Sequence, residues 1–246
     1  MKDEASNSSR HSVAYEAASP TSIQALFASI APSYDKANSF ASLGCHHAWN
    51  QRLIKSVAGA KYLLDLCAGT GEIALGFLES HPTSRATLID FCPEMLQVAQ
   101  HKGEKFSQRM ELICADAMAL PFQQACFDAV TLAYGIRNVL HPKICLQEIF
   151  RVLIPEGRLS ILELTRPSLR PLGWLHRLYT RTCLPIFGHY VSHNAPAYRY
   201  LAKSVQAFVS PEELCNILQS CGFIEIQTQP LLLGAATLFT CKKPSC

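Results

Sequence analysis

From residue 61 onward the chain alternates between two hydrophobic rhythms. Short apolar runs recur as "KYLLDL" (61–66), "ATLID" (86–90), "MELICAD" (110–116), "FDAVTLAY" (127–134) and "GRLSILEL" (157–164). Runs of this length, bounded by turn formers, predict buried β-strands. Between them lie stretches with helical spacing: "GEIALGFLES" (71–80), "PEMLQVAQHKGEKF" (93–106) and "HPKICLQEIFRVL" (141–153). In the last, Leu146, Ile149, Val152 and Leu153 form one apolar face. Strands alternating with helices predict a mostly parallel sheet covered on both sides.

Both ends depart from this rhythm. Residues 1–22 read as a flexible polar tail, and 23–58 as helical segments broken near Pro32 and Gly44. Residues 166–207 are helix-like and rich in aromatic and basic side chains. "SPEELCNILQSCGF" (210–223) predicts a helix with Ser210 as N-cap, Pro211 at its first position and Gly222 as its stop. "IEIQTQ" (224–229) and "LGAATLFTC" (233–241) predict a closing antiparallel pair at one edge of the sheet. The whole reads as one domain, 23–246, with seven strands and a helical lid insertion over 166–207.

Composition narrows the function classes. The 246 residues carry 22 basic and 19 acidic side chains, a net charge of +3, too small to imply a nucleic-acid partner. No stretch approaches a membrane span, and the N-terminus lacks the apolar run of a secretory signal. Eleven cysteines form no C-x-x-C pair, so zinc spacing is absent and no metal is expected. Most, Cys67 and Cys114 included, read as small buried hydrophobes of a cytoplasmic protein.

The chemistry concentrates at "LLDLCAGTGEIA" (63–74). Gly69, Gly71 and Ala74 fit a dinucleotide-binding turn between strand and helix, which alone does not separate NAD from other nucleoside cofactors. Asp65, just before that turn, would repel a pyrophosphate and suit an ammonium group. Asp90 closes the second strand, where it can accept from ribose hydroxyls, and Asp116 the third, where it can accept from an adenine amine. Three carboxylates at three successive strand ends point to S-adenosylmethionine, which is cationic and has no phosphate.

Longer stretches then narrow the class. "YDKANSFASLGCHHAW" (34–49), "LAYGIRNV" (132–139), "RVLIPEGRLSILE" (151–163), "GHYVSHNAPAYRYLAKSV" (188–205) and the closing "GFIEIQ…LGAATLF" resemble the ubiquinone/menaquinone biosynthesis C-methyltransferase family, over about residues 24 to 241. Tyr34-Asp35 with Asn38, His46 and Trp49, and Gly135-Ile136-Arg137-Asn138, carry the likeness most specifically. It departs at Ala37, at Ala133, and at Ile154 and Glu156, which replace the basic residue and first glycine of a usual basic-Pro-Gly-Gly turn.

The resemblance implies a class I methyltransferase (Rossmann-like) fold and S-adenosyl-L-methionine as cofactor. It implies that Asp65, Gly69, Thr70 and Gly71 frame the methionine end, that Asp90 takes the ribose, and that Asp116 and Ala117 take the adenine. The strand-four loop with Ala133, Tyr134 and Asn138 would separate cofactor from substrate. The implied reaction methylates a ring carbon of a prenylated hydroquinone, demethylmenaquinol or the corresponding ubiquinone precursor. A carbon becomes nucleophilic when the neighbouring phenol, pKa ~10, is ionised, and a nearby cation favours that state. Arg137 suits this role, with Asn138 beside it and water or His46 taking the proton; Tyr34 and Tyr198 would line the substrate pocket. Residues 168–190, with Trp174, Tyr179, Phe187, Arg170, Arg177 and Arg181, read as a lid that can rest on an anionic membrane face, or as a helical pair with a solvated basic face. A homodimer stays open. So do a class I methyltransferase for another apolar small molecule and a non-enzymatic, cofactor-binding regulatory protein.

Overall fold

A computed structural model describes residues 20–166 and 195–245; the tail 1–19 and most of the expected lid, 167–194, lie outside the described residues. Seven strands form one sheet: β1 (Tyr62–Leu66), β2 (Arg85–Asp90), β3 (Met110–Cys114), β4 (Phe127–Ala133), β5 (Leu153–Leu164), β6 (Ile224–Leu231) and β7 (Ala236–Lys242). Their order is β3-β2-β1-β4-β5-β7-β6. The first five pair in parallel, while β7 is antiparallel to both β5 and β6. This is the expected doubly wound arrangement with an antiparallel edge. Among the described residues no helix is long and apolar enough to cross a membrane.

Side-chain alternation splits the core into two layers. Leu64, Leu66, Val130 and Leu132 face α6 (Pro142–Val152) and α8 (Pro211–Ser220), through Leu146, Ile149, Leu214 and Leu218. Leu63, Leu88 and Leu162 face α3 (Cys45–Ser56), α4 (Glu72–Ser80) and α5 (Pro93–Lys102), through Leu53, Phe77 and Ala99. Neighbours in a strand thus enter opposite cores, which is why the sequence runs are apolar without alternation. The capping box at Ser210 and Glu213 starts α8 as the sequence predicts.

The N-terminal segment forms α1 (Pro20–Ile30), α2 (Tyr34–Ala41) and α3, interrupted after Ile30 and at Gly44 (φ +75°). Helix α7 (Ala195–Ala207) follows the undescribed stretch. Two sequence readings need correction. Strand β3 stops at Cys114, because Asp116 turns its side chain back to accept from the Met118 N–H at 2.8 Å. Cys114, on the edge strand β3, is exposed, and among the described cysteines only Cys92, Cys145 and Cys241 are buried. All described cysteines are free thiols.

Candidate active site

The chain reverses between β1 and β4 at the carboxyl ends of the parallel strands, where open α/β sheets hold their ligands. A cleft of about 180 Å3 opens there, lined by Gly69, Asp90, Asp116, Ala117, Ala133 and Tyr134 among others. Beneath it a pocket of about 30 Å3 is lined by Asp65, Thr70, Glu72 and Asn50. Next to both, a cavity of about 300 Å3 is mostly apolar; Leu43, Trp49, Leu164, Leu201, Val205 and Leu232 supply much of its wall. Tyr34 and Tyr134 line all three spaces.

Charge in these spaces is one-sided. Cleft and small pocket together are lined by Asp65, Glu72, Asp90 and Asp116, and by no Lys, Arg or His among the described residues. The backbone N–H groups of the glycine turn are already used. Gly69 donates to Asp90 Oδ2 at 2.8 Å, and Gly71 donates to the Ala68 carbonyl at 2.9 Å. A pyrophosphate would meet carboxylates and find neither of these donors free, whereas a cationic nucleoside without phosphate fits.

Each predicted cofactor residue has a definite place. Gly69 (φ +54°) brings its backbone against Tyr34. Gly71 (φ +81°) does not line the cleft; a side chain there would press on Ala99 and Leu88 at 3.1 Å, so its role is the close start of α4. The Thr70 hydroxyl donates to Asp35 Oδ1 at 2.5 Å, and Lys102 donates to Asp35 Oδ2 at 2.6 Å, tying α2 over the turn. Asp90 is buried and also accepts from the Cys92 N–H at 2.9 Å; burial raises its pKa. Asp65 accepts from Thr131 Oγ1 at 2.8 Å and the Ala74 N–H at 3.1 Å. Burial pushes its pKa up to about 7, with the Thr131 bond opposing the shift.

Strand β4 ends at Ala133, and Tyr134 follows in left-handed backbone, φ +55°. Its hydroxyl donates to Asn50 Oδ1 at 2.9 Å, and Asn50 Nδ2 donates to Glu72 at 3.3 Å. Arg137 follows on a short 3-10 turn, Ile136–Asn138, and reaches the cavity wall. Its guanidinium pairs with Glu163, which is fully buried, at 2.5 Å, and also donates to the Tyr134 carbonyl. Burial opposes the charge of Arg137, but Glu163 and the neighbouring Tyr34 and Tyr200 together outweigh it and raise the pKa. The charge expected to be free for a phenolate is therefore largely matched by Glu163. Its Nε–H is buried and has no hydrogen-bond partner among the described residues.

Asn138 does not face the cavity; it lines the cleft and accepts from the Tyr200 hydroxyl at 3.0 Å, linking α7 to the loop. His46, only 3% exposed, lines the cavity with Nδ1 against Ser42 Oγ at 2.8 Å. Its Nε2 lies 3.8 Å from Glu72, and burial followed by the His47 charge lowers its pKa, so the ring is neutral near pH 7. Burial raises the phenol pKa of Tyr34, with Arg137 opposing. Tyr198 falls on α7, but its side chain lies outside the described residues. Sequence reasoning missed Asn50, Glu72 and Glu163. For Glu163 the signal was visible, a lone carboxylate inside the apolar run "SILEL".

The model of the ubiE/COQ5 methyltransferase family matches residues 15–243. The chain belongs to the ubiE/COQ5 methyltransferase family. A demethylmenaquinone methyltransferase of Protochlamydia amoebophila is 42% identical over 232 residues, covering 92% of this chain and 96% of that protein. Among solved structures, human N-acetylserotonin methyltransferase in complex with SAM superposes with a TM-score of 0.59 at 19% identity, over 89% of this chain and 59% of that one. The [4+2]-cyclase SpnF superposes at 0.60 and 18% identity, over 81% of each chain. Likeness at that identity shows the fold alone. Within the ubiE/COQ5 family, the site residues described here are what bears on the chemistry.

Proposed function

We propose that this protein transfers a methyl group from S-adenosylmethionine to a ring carbon of demethylmenaquinol, giving menaquinol. One observation carries the reading: a cleft lined by carboxylates and, among the described residues, by no cation shares the walls Tyr34 and Tyr134 with a mostly apolar cavity. The first space suits a cationic nucleoside and the second an apolar aromatic acceptor with a hydrocarbon tail. The name of the Protochlamydia relative supports the choice of quinone.

Bound S-adenosylmethionine supplies an electrophilic methyl group, so the protein's task is to align and activate the acceptor. Asp90 offers its remaining lone pairs to ribose hydroxyls, and Asp116 accepts from the adenine. Asp65 and Glu72 give the methionine ammonium a negative surrounding. On the acceptor side, Arg137 Nε–H donates to the quinol oxygen and favours its ionised form. His46, neutral and held by Ser42, is the imidazole of the cavity wall that can take the proton; Tyr34, Tyr134 and Arg137 keep theirs. The ionised oxygen raises electron density on the adjacent carbon, which Tyr34 and Tyr134 hold facing the cleft. That carbon takes the methyl while the sulfur keeps the bonding pair, and its ring hydrogen then leaves as a proton, so that the ring and its hydroxyl re-form.

The test is transfer of labelled methyl from S-adenosylmethionine to chemically reduced demethylmenaquinone, beside the demethylated ubiquinone precursor. Label in the naphthoquinol supports the proposal, and label in the benzoquinol alone moves the substrate. Cofactor binding with neither quinol labelled sinks the quinone assignment.

A further inference from the structure

The mouth of the apolar cavity carries leucines that the fold does not bury. Leu43 tips the turn between α2 and α3, and Leu232 and Leu233 tip the turn between β6 and β7. They are 77%, 59% and 66% exposed, respectively. Leu43 and Leu232 belong to the cavity wall, so both turns stand at the same opening. All three adopt left-handed backbone, with φ of +51°, +42° and +57°. Glycine or asparagine would hold such turns with less strain and leave no apolar surface in water. Folding alone explains neither the strain nor the exposure.

Cations also stand beside the opening, and the acidic residue of α2, Asp35, is paired with Lys102. Helix α7, "APAYRYLAKSVQA", presents Arg199 and Lys203, which flank the wall residues Leu201 and Ala202. Helix α7 contains no acidic residue. An apolar tip flanked by cations complements an anionic bilayer, whose acyl region takes the leucines and whose phosphates take the cations.

We propose that this face docks on an anionic lipid bilayer, with Leu43, Leu232 and Leu233 inserted and the cavity mouth turned to the acyl region. A substrate with a hydrocarbon tail then passes from lipid to cavity without crossing water. That passage rests on the function proposed above; the docking itself does not.

The full chain is titrated with phosphatidylglycerol–phosphatidylcholine vesicles and with phosphatidylcholine vesicles, beside a Leu43→Asn, Leu232→Asn, Leu233→Asn variant. Asparagine tolerates left-handed backbone, so the variant keeps its turns. Retained S-adenosylmethionine binding by calorimetry reports an intact cleft, and this control reads separately from any failure to methylate a quinol. Leu233→Asn alone, outside the cavity wall, is a second variant should the triple one unfold. The expected result is wild-type binding to the anionic vesicles, weakened by salt at ~0.5 M and at least roughly tenfold weaker in the triple variant. Equal binding by wild type and variants would overturn the proposal. So would no wild-type binding, or leucine-dependent dimerisation in solution without vesicle binding.

Discussion

Glu163→Gln isolates the buried pair behind the strand-four loop. Glu163 is inaccessible to solvent and accepts from the Arg137 guanidinium at 2.5 Å, the Arg137 N–H at 3.2 Å and the Leu164 N–H at 2.8 Å. Glutamine keeps the size and one acceptor oxygen but leaves the guanidinium buried and unmatched. Breaking such a pair from one side costs about 3–5 kcal/mol. A chain of this size loses about 2–4 °C of Tm per kcal/mol, so melting should fall by about 6–20 °C. The double variant Arg137→Met, Glu163→Leu removes both charges and, by the same reasoning, recovers most of that loss. It remains inactive, because the Nε–H donor is gone. Thermal melts and methyl-transfer rates on the three proteins check both halves. A Glu163→Gln variant within about 1 kcal/mol of wild type, or a double variant as unstable as the single one, would refute the reasoning.

Three further outcomes follow from single residues. Burial raises the Asp65 pKa to about 7, so the folded state binds its proton more tightly than the unfolded chain, and stability falls as pH rises through that range. Urea melts should lose on the order of 3 kcal/mol between pH 5 and 8 through this group, and Asp65→Asn should flatten that slope; parallel slopes would contradict it. Asp90→Ala should weaken S-adenosylmethionine binding roughly 10- to 100-fold by calorimetry, since a hydrogen bond to a charged group contributes about 1.5–3 kcal/mol. Glu156 sits at φ +62° in the irregular start of β5, where the resemblance expects glycine, so Glu156→Gly should stabilise by about 1 kcal/mol in denaturant melts without changing methyl transfer.

Much of the fold could be read beforehand because its strands are short apolar runs punctuated by Gly, Pro and Asp. The carboxylates that line the cleft and the small pocket were readable in part, since Asp65 and Asp90 lie at, and Asp116 just beyond, the ends of strands that the pattern locates. What escaped was everything set by chain crossings. Asn50 meets Tyr134 across 84 positions, and Glu163 meets Arg137 across 26. Local periodicity carries no information on such pairings. The part given to Arg137 changed for the same reason: its residue type announced a free cation, and only the packing of β5 against the loop shows that cation matched. Gly71 likewise looked like a cofactor contact but serves the turn.

The measurement closest to the central claim is the position of the transferred methyl group. Chemically reduced demethylmenaquinone incubated with the protein and carbon-13 methyl-labelled S-adenosylmethionine should yield a product whose label resonates as a methyl on the quinone ring carbon. A methyl ether on the quinol oxygen, or no labelled product while the cofactor binds, would contradict the account.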